Sequence, residues 1–510
     1  MKNKITHRNS MNRREFLKQS LVATTGAAAV SSFEEAHLLA RQMVNVHATS
    51  TRLPNIVLIY TDDHAQWAVG AYGNKDVHTP NIDRLAAQGM RFTQGFTKPV
   101  CSPSRAMLLT GQYSHRVGIP DYIRYGHGGN GLPAGTATIA SVLKDTSYAT
   151  GLVGKWHLGY GEKYYPELFG FNHAECYQYV APGKPYGTRL TFLIDGKEEG
   201  RLKSDRTSIL ADRAIHFIRS NREKPFFLFL SIYRPHLAWL PVPDEDLAHY
   251  KGRPLTVPDL SRFPDVEVSE EKLRELTGLY YANITCADRN MGRIFDVLDE
   301  LKLTDNTIVI FIGDNGFNVG HHGLLGKGNA RFLYIDEQDR ISRAKGTRPN
   351  MFDRSVLVPF IIRWPGTVKP GTTSDALVST IDILPTVMDV TGAGARRKLQ
   401  LDGQSLLPIL KGEREIAWRD AYCDTYDMIY LVEAHMRMIR TDQWKLVLYF
   451  PPEYRRDKDG RPLAYGNPHE LFNLREDPEE LNNIYGQESV RNIQEQLEQR
   501  LYAWMRETRA

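Results

Sequence analysis

The chain has 510 residues, of which 42% are hydrophobic and 24% charged, values that are typical of a globular protein with a large core. The formal net charge is +4, but residues 1–20 carry six basic side chains against one acidic side chain, so the remainder is almost neutral and no polybasic, nucleic-acid-binding surface is indicated. Four cysteines in a chain of this length exclude a disulfide-based scaffold, and their spacing is not that of a metal site.

Residues 1–40 are interpreted as an export signal and linker. The run Arg13-Arg14-Glu15-Phe16-Leu17-Lys18 precedes a mildly apolar stretch at 21–30, a pattern similar to a bacterial twin-arginine signal. The apolar stretch is too short for a permanent membrane span, and no other stretch is long enough. We therefore expect an exported protein, periplasmic or extracellular, that uses the twin-arginine export machinery.

Continuous apolar, β-branched runs predict strands that are buried on both faces of a parallel sheet. These runs are 55–60, 149–153, 226–232, 307–312 and 358–362. Helical patterns with cap residues at their ends occupy 79–88, 136–144, 207–219, 269–301 and 383–390. Strands that alternate with helices predict a large doubly wound, mostly parallel α/β domain over residues 53–410.

The pattern changes after residue 411. Short segments at 437–440, 445–449 and 471–473 predict strands, and Asp457-Lys458-Asp459-Gly460 predicts a turn between two of them. The last apolar residues follow a helical period, with Val490, Ile493, Leu497 and Leu501 on one face. Residues 411–510 are therefore expected to form a smaller α+β domain with an antiparallel sheet and a terminal helix.

Cys101 stands at the start of a predicted helix. Ser102 suits the N-cap, Pro103 the first helical position, and Gly111 the position past the end. Unpaired N–H groups at a helix N-terminus favour negative charge, and Arg105 in the first turn adds a fixed cation that could hold an anionic ligand. Taken by itself, such a cysteine is also compatible with a buried structural residue.

Polar side chains follow four of the predicted strands. The segments are Asp62-Asp63-His64, Lys155-Trp156-His157, Arg234-Pro235-His236 and Asp314-Asn315. Because ligands bind beyond the carboxyl ends of parallel strands, we expect these side chains to meet Cys101 at one edge of the sheet. Oxygen ligands suit a hard cation such as Ca²⁺ or Mg²⁺, and they are offered by Asp62, Asp63, Asp314 and Asn315.

The motif Cys-Ser-Pro-Ser-Arg at 101–105, the Leu-Thr-Gly at 109–111 and the Gly-Lys-Trp-His-Leu-Gly at 154–159 resemble the signatures of the type I sulfatases. This resemblance implies an alkaline-phosphatase-like fold and a formylglycine that a maturation enzyme makes from Cys101. It also implies one calcium ion, preferred over magnesium, bound by Asp62, Asp63, Asp314, Asn315 and an oxygen of the modified Cys101.

The same resemblance implies roles for the cations and imidazoles. Lys155 and Lys327 would bind sulfate oxygens, and Arg105 would help to neutralise the sulfate. A hydroxyl of the hydrated aldehyde would attack sulfur, and His157 would take a proton when sulfate is expelled. His236 would protonate the departing alcohol, which is otherwise a poor leaving group. Alternation along an extended segment would place Lys155 and His157 on the same side.

Two other functions remain open. A phosphonate or phosphate ester hydrolase of the same superfamily would use softer metals and more histidine ligands, which His64 and the pair His321-His322 could supply. A catalytically dead, glycan-binding protein is the other alternative. For an active sulfatase, export and an aromatic-rich insertion at 160–200 favour a sulfated carbohydrate as substrate over a small aryl sulfate.

Overall fold

The structure is a computed structural model that describes residues 53–124, 130–178, 191–195, 197–200, 206–264, 266–334, 346–396, 398–413, 417–450 and 469–510. The predicted export signal and the turn at 457–460 lie outside these residues. Residues Leu53–Ala510 belong to one compact unit. Within the described ranges, no helix is long and apolar enough to cross a membrane.

The described strands form three sheets. They are β1 (Asn55–Asp62), β2 (Met90–Phe96), β3 (Ala149–Lys155), β4 (His173–Gln178), β5 (Thr191–Ile194), β6 (Lys197–Gly200), β7 (Phe226–Pro235), β8 (Thr307–Gly313), β9 (Asn318–Val319), β10 (Leu324–Gly326), β11 (Arg331–Phe332), β12 (Phe360–Arg363), β13 (Thr372–Ser379), β14 (Tyr422–Met428), β15 (Ala434–Arg440), β16 (Trp444–Phe450) and β17 (Glu470–Asn473). The α-helices are α1 (Pro80–Gln88), α2 (Cys101–Thr110), α3 (Ile139–Lys144), α4 (Arg206–Asn221), α5 (Asp244–Ala248), α6 (Glu270–Glu300), α7 (Asp353–Val356), α8 (Ile383–Thr391), α9 (Leu407–Leu410) and α10 (Arg491–Thr508).

The largest sheet has ten strands in the order β13-β2-β12-β8-β1-β7-β3-β4-β5-β6. Its centre is parallel, since β1 pairs in parallel with β7 and β8, and β3 pairs in parallel with β7 and β4. Strand β12 is antiparallel to both β8 and β2, so β2 points the same way as the central strands. The carboxyl ends of β1, β3, β7 and β8 therefore meet at one edge, as predicted.

Both faces of this sheet are covered. Alternate residues of β1 enter two different cores, Leu58 on one face and Val57 on the other, and each is fully buried. Helices α2, α3 and α8 cover the first face, and α1, α4 and α6 cover the second. Burying an aliphatic side chain of this size contributes about 1.5–3 kcal/mol, which explains the continuous apolar runs. The doubly wound α/β architecture is confirmed.

Four parts of the sheet differ from the expectation, and one of them is β13, which was not predicted. Strand β2 was not predicted, because Arg91 and Gln94 are only partly buried and interrupt its apolar pattern. The insertion at 160–200 contributes β4, β5 and β6, which extend the sheet beyond β3. The strand expected at 358–362 is β12, and it runs antiparallel to its neighbours.

The C-terminal strands form an antiparallel sheet in the order β14-β15-β16-β17. Helix α10 packs on this sheet through Leu497 and Leu501, which are buried together with Ile439 and Leu448. The predicted antiparallel sheet and terminal helix are therefore present, and the domain boundary at residues 410/411 stays a prediction.

Candidate active site

Helix α2 begins two residues earlier than predicted, so Pro103 is its third residue and not its first. Val100 is the N-cap, with an extended backbone, and Cys101 is the first helical residue, so the assignment of Ser102 as N-cap was wrong. The Ser102 hydroxyl instead accepts a hydrogen bond from the backbone N–H of Ile123, at 3.0 Å. The end of the helix agrees with the prediction, because Gly111 has a φ of 64° and its N–H donates to the carbonyl of Met107.

The Cys101 thiol faces His157. Its Sγ lies 3.3 Å from His157 Nδ1, and the other ring nitrogen, Nε2, lies 3.0 Å from the carbonyl of Ile123. A carbonyl only accepts, so Nε2 carries the proton and Nδ1 accepts from residue 101. Burial, with Lys155 nearby, holds the pKa of His157 well below its usual value, so the ring is neutral. The site therefore pairs residue 101 with a ready proton acceptor.

The charge around Cys101 is dominated by two lysines. Burial raises the pKa of the thiol, but Lys155 and Lys327 outweigh burial and lower that pKa below its usual value. Lys155 Nζ contacts Asp62, and Lys327 Nζ contacts Asp63. Because both ammonium groups are buried beside residue 101, this part of the pocket favours an anion.

The segment after β3 does not reach the site by simple alternation. His157 has a φ of 58°, so the residues from Lys155 to His157 are not extended as expected, although both side chains point into the pocket. Gly154 has a φ of 115°, and a Cβ there would lie 1.9 Å from the carbonyl oxygen of Ser231. Only glycine fits this close approach of β3 and β7.

The predicted metal ligands converge. The backbone N–H of Asp63 donates to Asp314 Oδ1 at 3.0 Å, and Asn315 Nδ2 donates to Asp63 Oδ1 at 2.8 Å. Asp62, Asp63 and His236 each place one possible ligand atom within 4.8 Å of the others. Asp62 Oδ1 is buried and has no hydrogen-bond partner among the described residues. A buried oxygen of this kind, among other carboxylate and amide oxygens, fits a hard divalent cation.

Arg105 lies beneath these acids. Its guanidinium donates to Asp314 Oδ2 at 2.7 Å, to the carbonyl of Lys155 at 3.0 Å and to Ser231 Oγ at 2.6 Å. The side chain is fully buried and also lies 3.6 Å from Asp62 Oδ2. These contacts hold Arg105 beside the acids, and the role in neutralising sulfate that the resemblance implies for it stays a prediction.

His236, the second predicted proton carrier, is partly exposed at the acidic cluster. Its side chain is 26% exposed, and Nε2 lies 3.8 Å from Asp63 Oδ2. The ring lies 4.7 Å from the ring of Tyr233, between centroids. A partly exposed histidine beside the acidic cluster can donate a proton to the leaving group of a bound substrate.

The three histidines that the alternative function would need, His64, His321 and His322, pack against aromatic side chains. His64 Nδ1 lies 3.0 Å from Thr61 Oγ1, and its ring meets Phe311 edge-on. His321 packs on Trp67, with ring centroids 4.5 Å apart, and His322 stacks on Phe352 at 3.7 Å. None of the three belongs to the cluster of possible ligands found in the described part of the chain. The histidine-rich metal site of the alternative hydrolase therefore has no support from these residues.

Two buried residues that help to position the site, Ser231 and Lys98, were not predicted from the sequence. Ser231 is a fully buried hydroxyl within the apolar run of β7, and this interruption was the available signal. Lys98, three residues before Cys101, is fully buried and pairs with Asp424 at 2.7 Å. Because Asp424 lies more than 300 residues away in β14, no local pattern could have predicted this pair.

Comparisons with known proteins agree with this geometry. A family model described as Sulfatase matches residues 54–393, and a model described as N-sulphoglucosamine sulphohydrolase, C-terminal, matches residues 347–507. Similar curated proteins include an N-acetylglucosamine-6-O-sulfatase of Bacteroides thetaiotaomicron, 27% identical over 90% of this chain and 87% of its own length. A steryl-sulfatase of Homo sapiens is 28% identical over 86% of this chain and 85% of its own length.

Among solved structures, one from a study of glycosaminoglycan metabolism by Bacteroides thetaiotaomicron has a TM-score of 0.70 and 25% identity, covering 90% of this chain and 97% of that one. A second, solved in complex with its substrate D-glucosamine-2-N,6-O-disulfate, has a TM-score of 0.67 and 24% identity over 90% of this chain and 98% of that one. At this level of identity the second likeness shows the fold.

Proposed function

Because this chain belongs to the type I sulfatase family of the alkaline phosphatase superfamily and is therefore a sulfuric ester hydrolase, we propose that it is an exported enzyme that removes sulfate from a sulfated carbohydrate. The observation that carries the proposal is the position of Cys101, 3.3 Å from a neutral His157 and beside two buried lysines. The named activities of the curated relatives on N-acetylglucosamine and N-acetylgalactosamine sulfates support the carbohydrate substrate.

Residue 101 is proposed to act as formylglycine, formed from Cys101 by a maturation enzyme. As a hydrate, formylglycine supplies one hydroxyl to attack sulfur and a second whose deprotonation expels sulfate. His157 is placed to take that proton at Nδ1, because its Nε2–H is held by the carbonyl of Ile123. The fixed tautomer prepares the histidine for this single task.

The metal is proposed to be calcium, held by Asp62, Asp63, Asp314 and Asn315 with residue 101. A bound divalent cation supplies positive charge to the sulfate oxygens and to the oxygen of residue 101. In the structure, the carboxylates of Asp62, Asp63 and Asp314 are balanced by the cations Arg105, Lys155 and Lys327. A divalent ion therefore makes the pocket positive, which favours an anionic sulfate ester.

Lys155, Lys327 and His236 have the remaining roles, which are sulfate binding and protonation of the leaving group. The buried ammonium groups of Lys155 and Lys327 have the largest lowering effect on the pKa of the Cys101 thiol. In the reaction they bind the sulfate oxygens and stabilise the negative charge that develops there. His236 stands at the open side of the acids and donates its Nε2 proton to the departing alcohol oxygen. A sugar alkoxide needs this proton, whereas a nitrophenolate leaves without it.

That difference gives the experiment. In His236→Ala, hydrolysis of a sulfated N-acetylhexosamine should fall about 10²–10⁴-fold, whereas hydrolysis of p-nitrophenyl sulfate should fall far less. His249→Ala, at an exposed histidine that stacks on His78, is the control. Equal losses on both substrates would make His236 a metal ligand and contradict the proposed role. Faster cleavage of an aryl phosphodiester than of any sulfate ester would favour the phosphate ester hydrolase.

A further inference from the structure

An apolar and aromatic surface lies next to the pocket of Cys101. It is formed by Tyr122, Ile429, Tyr430 and Leu431, which we call the tyrosine rim. The rings of Tyr122 and Tyr430 meet edge-to-face with centroids 5.3 Å apart. Ile429 and Leu431 are 43% and 38% exposed, and they belong to the few large hydrophobic side chains at the surface of the described residues. Contiguous exposed apolar side chains of this kind mark binding surfaces.

The tyrosine rim is continuous with the catalytic residues. Ile123, the neighbour of Tyr122, accepts a hydrogen bond from His157 at its carbonyl, and its N–H donates to Ser102, the neighbour of Cys101. A single residue, Ile123, thus connects Tyr122 of the rim to His157 and Ser102, which lie next to Cys101.

The two halves of the rim are held together by a buried carboxylate. Asp121 is 3% exposed, and it accepts hydrogen bonds from the backbone N–H of Tyr122 at 2.7 Å and of Ile429 at 2.9 Å. The segment that follows α2 and the turn between β14 and β15 are thereby fixed to one another. The rim is therefore formed before any ligand arrives, and a preformed surface loses little freedom on binding.

We propose that the tyrosine rim binds the pyranose ring of the sulfated carbohydrate and so selects the substrate; this inference rests on the proposed function. A pyranose ring presents C–H groups on its faces and hydroxyls at its edge. The former pack against aromatic and aliphatic side chains, and the latter stay in water. The sulfate of the same ligand then enters the positive pocket beside residue 101. This pocket lies next to the rim because Ile123, which follows Tyr122, is hydrogen-bonded to His157 and Ser102.

The test measures binding without turnover. In Cys101→Ala protein, calorimetry gives the dissociation constants of N-acetylglucosamine 6-sulfate, N-acetylgalactosamine 6-sulfate and inorganic sulfate. Adding Tyr430→Ala should weaken at least one sulfated sugar about tenfold, the loss expected for one aromatic contact, and leave inorganic sulfate unchanged. Tyr502→Ala is the matched control, since Tyr502 is a 39% exposed tyrosine on α10. It should change none of the three dissociation constants.

Three results would overturn the proposal. They are unchanged sugar affinity in Tyr430→Ala, a parallel loss of inorganic sulfate affinity, and no binding of either sugar to the Cys101→Ala protein. Turnover of p-nitrophenyl sulfate by the matured, unsubstituted enzyme separates this failure from that of the proposed function. If turnover is present and sugar affinity is unchanged, only the rim is refuted. If turnover of p-nitrophenyl sulfate and of both sulfated N-acetylhexosamines is absent, the proposed function fails whatever the rim binds.

Discussion

The buried pair of Lys98 and Asp424 joins the segment before α2 to the C-terminal sheet. Lys98 Nζ lies 2.7 Å from Asp424 Oδ1 and donates to Thr425 Oγ1 at 2.8 Å, and both charged side chains are fully buried. The hydroxyl of Tyr422 donates to the other oxygen of Asp424 at 2.6 Å. Burial lowers the pKa of Lys98, and Asp424 opposes that shift. Each charge thus depends on the other.

Removing one partner leaves the other charge buried without compensation. We expect Lys98→Met to reduce the free energy of unfolding by about 3–5 kcal/mol. The double variant Lys98→Met/Asp424→Asn removes both charges and should recover most of that loss. Urea unfolding of the two single variants and the double variant gives the coupling energy directly.

A surface pair provides the matched control. Arg219 and Glu300 are also 2.7 Å apart, but their side chains are 44% and 57% exposed. Water screens this pair, so Arg219→Met should reduce the free energy of unfolding far less than Lys98→Met does. If Lys98→Met costs no more than Arg219→Met, or if the double variant is as unstable as the sum of the singles, burial does not decide the strength of these pairs and the reasoning is refuted.

Two further predictions concern a histidine and a glycine. Burial lowers the pKa of His322 to about 3, so below pH 6.5 the unfolded chain takes up a proton that the folded protein does not. Stability should then fall with acidification through that window, and His322→Asn should reduce the loss between pH 7 and pH 5 by about 2 kcal/mol in urea unfolding. An unchanged pH dependence would contradict the assignment. Gly154→Ala should destabilise the protein by about 3 kcal/mol or more, because its Cβ would overlap Ser231, whereas Gly73→Ala, with a φ of 101° and open space around it, should cost only about 1–2 kcal/mol. Equal thermal shifts in the two variants would contradict the overlap.

The central sheet was predictable because its strands are buried on both faces. Leu58 and Val57 face different cores, so β1 had to be apolar throughout, and the same holds for β7 and β8. Parallel pairing then places every carboxyl end at one edge, so the sequence alone predicts that Asp62, Lys155, His236 and Asp314 lie together.

The parts that were not predictable depend on contacts between distant residues. The N-cap of α2 moved to Val100 because Ser102 is engaged by Ile123, a residue 21 positions later. Arg105 turned under the acids because Ser231 and Asp314 offer acceptors there. Tyr122 meets Tyr430 only through the fold of the C-terminal sheet. Local periodicity carries none of these pairings.

The proposed mechanism depends most on the chemical state of residue 101. Protein purified in its active, exported form should be digested with trypsin, and the peptide Phe92–Arg105 should be analysed by mass spectrometry. We predict a peptide in which the CH₂–SH of Cys101 has become an aldehyde, and which an aldehyde-specific hydrazine reagent labels. A fully retained thiol in protein that still releases sulfate would contradict the account.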